Sequence, residues 1–213
     1  MLRAKIVLIA MAAILILAGM SPAADKAKLD DAFAKLAAYD FGRDSSATTT
    51  IANLVAASFG NPDERRELAF RLAEVLKSGA PRGAKDCACR QLSIIGTEAE
   101  VPMLAGLLAD ENLSHMARYA LERIPGPAAP EAMRQALGKV KGKLLVGVIN
   151  SLGNRRLASA VDNLAPLLSD ADPAVAQAAA AALGKIGPAG CPALEQALDK
   201  APCSPGRRPG SRF

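Results

Sequence analysis

A short pattern of apolar residues recurs four times along this chain at nearly constant spacing. Each copy places apolar residues at positions i, i+4 and i+7, and a glycine follows the last of them within two residues. The copies begin at Ala88, Ala117, Leu145 and Ala179, so successive starts lie 29, 28 and 34 residues apart. Residues at this spacing share one helical face, and a glycine commonly ends a helix. A period near thirty residues predicts an array of stacked helical hairpins.

Helices predicted from this period and from the Pro and Gly positions form five pairs and one unpaired helix. The predicted pairs are 25–38 with 45–58, 62–77 with 82–95, 99–109 with 113–124, 128–138 with 141–152, and 157–168 with 172–186. The helix 190–200 has no partner. Because no hairpin could bury its apolar surface alone, we predict an all-α, right-handed α-solenoid of about five hairpins plus a C-terminal half repeat.

Four segments follow from the changes in composition along the chain. We predict a signal peptide over 1–23, an N-terminal helical cap over 24–61, the repeat array over 62–200, and a disordered tail over 201–213. The tail has three prolines and two glycines, which cannot form the second helix of a sixth pair. Three explanations stay open for it: a truncated or frame-shifted gene product, a lost continuation of the domain, or an exposed edge that binds a partner.

The first residues are typical of an export signal. Arg3 and Lys5 precede an uncharged apolar run over 6–18, and small residues stand before a predicted cut after Ala23. This run is shorter than the roughly 20 residues that span a membrane. We therefore predict an exported protein, periplasmic or extracellular, with an uncleaved N-terminal anchor as the alternative.

The net charge of +5 comes entirely from the two ends of the chain. Residues 24–200 carry 21 basic and 21 acidic side chains, because the excess lies in 1–23 and 201–213. A neutral body has no general attraction for phosphate backbones. We therefore expect a protein partner and no nucleic acid, with membrane contact only through the possible anchor.

Signals for catalysis, metals and cofactors are absent from the residue patterns. The single histidine, His115, follows Ser114 and has acidic residues nearby in sequence, but an adjacent Ser-His pair is not a catalytic arrangement by itself. Cys87 and Cys89 match no structural zinc pattern, and Cys191 could pair with Cys203 only if the chain turns back after Lys200. We predict no catalytic residue, no metal ligand and no cofactor, and leave the disulfide open.

A candidate binding surface follows from the positions that are equivalent between repeats. Such positions in the second helices form rows along the inner, concave face of a solenoid. The rows are polar and large in the middle repeats and small in the last one. The predicted partner-binding residues are Arg90, His115, Arg118, Tyr119 and Glu122. Tyr and Arg are frequent binding anchors, although any solvated face carries polar residues.

Three stretches of the chain resemble a known repeat family. The segment from Leu164 to Gly187, with Asp172-Pro173 at its turn, is similar to a HEAT repeat of the short type found in phycobilisome-lyase-like proteins. The segment from Gln91 to Asp110 resembles the same pattern, and 114–122 resembles exported HEAT-repeat proteins of planctomycete-like bacteria. The resemblance covers about 62–200 and implies an armadillo-like helical array that acts as a scaffold.

These observations together predict a non-enzymatic scaffold that binds another protein on the concave face of HEAT-type hairpins. Two alternatives stay open. The first is a lyase-like or enzyme-accessory subunit, which the resemblance to phycobilin-lyase proteins implies. The second is a purely structural spacer. The residues do not distinguish among partners.

Overall fold

The computed structural model describes residues 22–200 of the chain. Within this range the chain forms eleven α-helices and no β-strand. The predicted signal peptide, apart from Pro22 and Ala23, lies outside the described residues. The predicted tail over 201–213 also lies outside them, and so does Cys203, whose pairing with Cys191 the sequence leaves open.

The helices are numbered here in chain order. They are α1 (Pro22–Ala37), α2 (Ser46–Ala57), α3 (Pro62–Lys77), α4 (Arg82–Ile95), α5 (Val101–Gly106), α6 (Ser114–Leu121), α7 (Ala128–Ala136), α8 (Gly142–Asn154), α9 (Val161–Leu164), α10 (Pro173–Ile186) and α11 (Cys191–Lys200). Short 3₁₀ turns flank α5 at Glu98–Glu100 and Leu107–Ala109, and flank α9 at Ala158–Ala160 and Ala165–Ser169.

The helices stack in two layers, and the chain is an α-solenoid as predicted. Each odd-numbered helix from α1 to α9 packs against the even-numbered helix that follows it. The even-numbered helices α2, α4, α6, α8 and α10 also contact one another in succession, so they form one continuous layer. One apolar core runs between the layers from Ala32 to Ile186. Each repeat therefore buries its apolar face against its neighbours.

Local signals account for the helix ends that the sequence predicts well. Helices α3 and α4 have the predicted bounds. Asn61 caps α3 by accepting a hydrogen bond from the amide of Glu64, and Pro62 occupies the first helical position. Asp172 caps α10 in the same way through the amide of Ala174, at 2.9 Å.

The first helices of the third and fifth pairs are more broken than predicted. The predicted helix 99–109 is a 3₁₀–α–3₁₀ sequence, and so is the predicted helix 157–168. Pro102 and Pro166 lie in these segments and have no backbone N–H to donate. A proline interrupts α-helical bonding to the carbonyl four residues before it, which is consistent with the 3₁₀ turn before α5 and the one that contains Pro166.

The apolar positions of the repeat pattern are buried in all four copies, as predicted. The prediction that a glycine ends each second helix is wrong for Gly153, which lies inside α8. A Cβ at this position would lie 2.7 Å from the Cα of Ala182, so Gly153 permits close approach of α8 to α10. Helix α8 ends instead at Asn154, followed by Arg156 with a φ of 51°.

Candidate partner-binding surface

Three of the predicted binding residues lie on the solvent side of the second-helix layer. Arg90 on α4 and His115 at the start of α6 are exposed, and Tyr119 on α6 is half-buried. Tyr119 is among the groups that raise the pKa of Arg90, after the hydrogen bond and charge of Asp86. Helices α4 and α6 contact each other, and Arg90 and Tyr119 occupy equivalent positions on them. We call Arg90, His115 and Tyr119, with the side of α4 and α6 that carries them, the second-helix face.

Tyr119 is held in place by a stacked cation. The guanidinium carbon of Arg123 lies 3.7 Å from the centre of the Tyr119 ring. Nη1 of Arg123 also donates to the carbonyl oxygen of Tyr119 at 3.0 Å. A cation over an aromatic face is stabilising, so the ring stands in a fixed position on the surface.

The other two predicted binding residues join neighbouring repeats. Nη1 of Arg118 donates to the carbonyl oxygen of Gly147 at 3.1 Å and to Oγ of Ser151 at 3.2 Å, both on α8. Burial lowers the pKa of Arg118, and the charge of Glu122 opposes that shift. Glu122 itself accepts a hydrogen bond from Asn154 at 3.3 Å. Arg118 and Glu122 thus have structural partners within the array.

A line of hydrogen bonds crosses three successive second helices. Asn154 at the end of α8 donates to Glu122, and its Oδ1 accepts from Nζ of Lys185 on α10 at 2.9 Å. Arg155 adds three contacts from its Nη1 to carbonyl oxygens at the end of α6. The middle repeats are therefore linked by polar contacts as well as by the apolar core.

A cleft of about 370 Å³ opens beside Arg90, between α2, α4 and the loop that follows α1. Its walls include Tyr39, Phe41, Thr48, Asp86, Arg90 and Gln91. Asp86 and Arg90 form an ion pair at 3.0 Å in which the arginine side chain is 60% exposed and the aspartate 15%. The cleft combines aromatic surface with both donors and acceptors, which is common in binding pockets.

Gln91 is the most unusual residue of this cleft. It is only 8% exposed, and its Oε1 has no hydrogen-bond partner among the described residues. The equivalent positions in the next three repeats are Ala120, Val148 and Ala182, which are apolar and buried. A buried amide oxygen without a partner lowers the stability of the fold. This repeat therefore carries a polar residue at a cost, at a position where the other three repeats carry an apolar one.

The loop below the cleft is fixed by a charged helix cap. Oδ1 of Asp40 accepts from the amides of Gly83 and Phe41, each at 2.9 Å, and so caps α4 from the preceding repeat. These hydrogen bonds lower the pKa of Asp40, with smaller contributions from Arg43 and Arg82. Gly83 is needed here, because an added Cβ would lie 2.8 Å from the backbone of Asp40 and Phe41.

The two cysteines of α4 lie in the core and carry unreactive thiols. Burial raises the pKa of Cys87 to about 11 and that of Cys89 to about 12, with a smaller contribution from Asp86. Since the thiolate is the reactive form, neither side chain is set up as a nucleophile or a metal ligand. Both are apolar packing residues.

Residues 22–200 contain neither a metal-binding cluster nor a membrane-spanning helix. No group of three or more His, Cys, Asp and Glu side chains converges there on a point where a metal ion would bind. Among the helices of the same range, none has both the length and the apolar character of a bilayer span.

Sequence patterns missed two features of this region. The solvent-facing rows of the repeats do not include Gln91, and the signal that marks it is a polar residue at a repeat position that is apolar in the later copies. The contribution of Tyr39 and Phe41 depends on how the loop after α1 folds over α4. No periodic signal marks such a loop, since it lies outside the repeats.

A comparison with known protein families agrees with this architecture. Residues 130–208 match the family model of HEAT repeats, a stretch that includes α8, α10 and α11. Among solved structures, the chain is similar to an engineered protein determined by crystallography in a structural genomics programme. The two are 19% identical with a TM-score of 0.42, over 79% of this chain and 85% of the other. A search of curated proteins finds no significant match. The family match supports HEAT repeats over residues 130–208, and HEAT repeats generally mediate protein–protein interaction.

Proposed function

We propose that the protein is a non-enzymatic, exported scaffold that binds another protein on the second-helix face. The observation that carries this proposal is the grouping of Arg90, His115 and Tyr119 on the exposed side of two packed helices, next to a cleft. Arg and Tyr are the side chains that most often dominate binding energy when a partner covers them. The signal peptide predicted over 1–23 supports a site of action outside the cytoplasm.

The mechanism is recognition by a preformed shape. Arg123 fixes the ring of Tyr119, and the hydrogen bonds of Arg118 and Arg155 fix α6 against α8. A surface that is ordered before binding loses less conformational entropy on association. The second-helix face therefore presents its side chains with little rearrangement.

Affinity capture with three matched proteins tests the proposal. The native chain, Tyr119→Ala and Gln135→Ala are each immobilised and exposed to extract from the producing cells. Gln135 is an exposed residue of α7, in the other layer, so its variant controls for a general change of surface. We expect Tyr119→Ala to lose most of a partner that the native chain and Gln135→Ala retain, with its helical content unchanged by circular dichroism. Equal capture by all three would overturn the proposal.

A further inference from the structure

We propose that a cleft between the α2–α3 loop and the end of α4 binds a partner segment in which an apolar side chain stands next to an Asp or Glu. The cleft has a volume of about 410 Å³, and we call it the Arg65 cleft. Its walls include Arg65 of α3, Ile94 of α4 and Pro125 after α6. This inference rests on the proposed function, because Ile94 lies one helical turn after Arg90 on the exposed side of α4.

The first argument is the exposure of two large apolar side chains at this cleft. Ile94 lies on its wall and is 60% exposed. Phe59, between α2 and α3, is 81% exposed, and the centre of its ring lies 5.1 Å from the guanidinium carbon of the wall residue Arg65. Both apolar side chains therefore border the same cleft. Exposed apolar side chains that are grouped in this way commonly mark an interaction site, whereas scattered ones do not.

The second argument is a departure from the repeat pattern at Ile94. The equivalent positions in the next three repeats are Arg123, Ser151 and Lys185, which are all polar. The repeat that forms the Arg65 cleft is thus the one of the four that carries an apolar residue here. An apolar side chain of a partner that covers Ile94 would remove its surface from water, which is favourable in proportion to the area covered.

The third argument is that Arg65 has no hydrogen-bond partner within residues 22–200. Five arginines in this range are half-buried. The other four each donate hydrogen bonds to oxygen atoms of the chain, and they are Arg71, Arg118, Arg134 and Arg155. Nε of Arg65 is buried, whereas Nη1 and Nη2 are not among the buried unpaired atoms and so remain available to a ligand. Such nitrogens form charge-assisted hydrogen bonds with a carboxylate.

The fourth argument is the balance of charge at the cleft. Among residues 22–200, two arginines line it and no carboxylate does. Arg66 is already paired with Asp63, and the carboxylate of Glu64 accepts a hydrogen bond from the side chain of Asn61 at 3.3 Å. Of the two wall arginines, Arg65 is therefore the one without an acidic partner in the described chain. Complementary charge across an interface favours an acidic segment over a basic one.

The fifth argument is the fixed shape of the cleft. Its volume lies at the small end of ligand pockets, which suits one apolar side chain and the backbone beside it. Pro62 and Pro125 restrict the backbone of two walls. On a third wall, the amide and the hydroxyl of Thr97 donate to Oε2 of Glu100 at 2.8 Å and 2.9 Å. A site that is ordered before binding loses less conformational entropy on association.

Fluorescence anisotropy with four peptide sets tests the inference. All are labelled seven-residue peptides. Three sets have a central Leu or Phe and blocked chain ends, and the residue beside the central one is Asp or Glu, Lys or Arg, or Asn or Gln. The fourth set is otherwise uncharged and ends in Leu or Phe with a free terminal carboxylate. We expect the acidic set to bind the native chain most tightly, because it alone places a side-chain carboxylate next to the apolar residue.

Matched variants locate the binding site. Arg65→Gln and Ile94→Thr change the cleft, and Arg43→Gln removes the same charge from an exposed position at the other end of α2. We expect Arg65→Gln to bind the acidic set about tenfold more weakly, as for one lost hydrogen bond to a charged group, and the neutral set as the native chain does. Ile94→Thr should weaken binding of both sets, and Arg43→Gln should change neither.

Three results would overturn the inference. The first is equal binding of the acidic set by the native chain and Arg65→Gln. The second is binding of the basic, neutral or terminal-carboxylate set as tight as that of the acidic set, and the third is binding of no set. Circular dichroism checks the helical content of each variant. Phe59→Ser, at a largely exposed ring, replaces a cleft variant that loses helical content, and unchanged binding of the acidic set by Phe59→Ser would also overturn the inference.

The two proposals fail in different ways. If Tyr119→Ala loses the captured partner but peptide binding does not depend on Arg65, the cleft inference alone is wrong. If Tyr119→Ala captures normally, the second-helix face is wrong as the proposed function defines it, whatever the peptides show.

Discussion

Arg155 and Leu121 belong to successive repeats and are joined by a hydrogen bond, with Nη1 of the arginine 2.7 Å from the leucine carbonyl oxygen. The same Nη1 lies 3.0 Å and 2.9 Å from the carbonyl oxygens of Glu122 and Ile124. The last carbonyls of a helix have no partner within it, and a cation there also interacts favourably with the helix dipole. The end of α6 is thus completed by a side chain of the next repeat.

Replacing Arg155 should destabilise the whole array. Arg155→Ala removes a charged donor shared by three carbonyl oxygens, and we expect the free energy of unfolding to fall by about 1.5–3 kcal/mol. Urea denaturation followed by circular dichroism measures this change. Arg156→Ala, at the adjacent exposed position, should change stability by no more than about 0.5 kcal/mol. Similar losses in both variants would show that the contacts of Arg155 contribute nothing specific.

Two glycines inside helices should respond to alanine in opposite directions. Gly153→Ala places a Cβ 2.7 Å from the backbone of Ala182, so α8 and α10 must separate, at a cost of about 1–3 kcal/mol. At Gly184 an added Cβ would meet nothing within 4 Å, and Gly184→Ala should raise stability by about 0.5–1 kcal/mol through helix propensity. Unfolding free energies of the two variants test this. Stabilisation by both would contradict the close packing of α8 on α10.

The cap that Asp40 provides for α4 should depend on pH. Hydrogen bonds from Gly83 and Phe41 hold the pKa of Asp40 below its ordinary value of 3.8 in the folded protein. A lowered folded pKa stabilises the fold above the unfolded pKa, and this stabilisation is lost as pH falls through the folded pKa. The stability difference between the native chain and Asp40→Asn should therefore be greatest near neutral pH and shrink below about pH 4. Denaturation midpoints at pH 7 and pH 3 measure it, and an equal difference at both would exclude a charged cap.

The buried thiols of α4 should resist alkylation until the protein unfolds. Burial raises the pKa of Cys87 and Cys89, whereas Cys191 is exposed. Treatment of the native protein with iodoacetamide at pH 8 should modify the peptide that contains Cys191 and leave Cys87 and Cys89 free. In urea all three should react. Mass spectrometry of the digested protein distinguishes these outcomes, and rapid modification of Cys89 in the native state would contradict its place in the core.

The sequence predicted the repeat architecture because its signals are local and periodic. The buried positions Leu92, Leu121 and Leu183 follow from spacing alone, and the cap of α3 follows from Asn61-Pro62. The 3₁₀ turns around α5 and α9 were missed, although Pro102 and Pro166 mark them. The repeat pattern predicts a helix end at Gly153. Its role in the structure is to let α8 approach α10 closely, and a local sequence pattern contains no information about the distance between two helices.

The candidate surface was predictable in part, for a related reason. The comparison of equivalent positions between repeats predicts that Arg90, His115 and Tyr119 lie on one face, since such positions point the same way. It also placed Arg118 there, yet the guanidinium of this residue turns toward Gly147, where the absence of a side chain leaves room for it. Which polar residues stay free and which join repeats is decided by contacts between helices far apart in sequence.

Site-specific photo-crosslinking is the most direct test of the central claim that a partner binds the second-helix face. A photoreactive amino acid is placed at His115 in one protein and at Gln135 in another, and each is irradiated in the producing cells. We predict a discrete adduct of the same mass from position 115 in repeated experiments, and none from position 135 on the other layer. Adducts from position 135 with none from position 115 would contradict the account and move the interface to the first-helix layer.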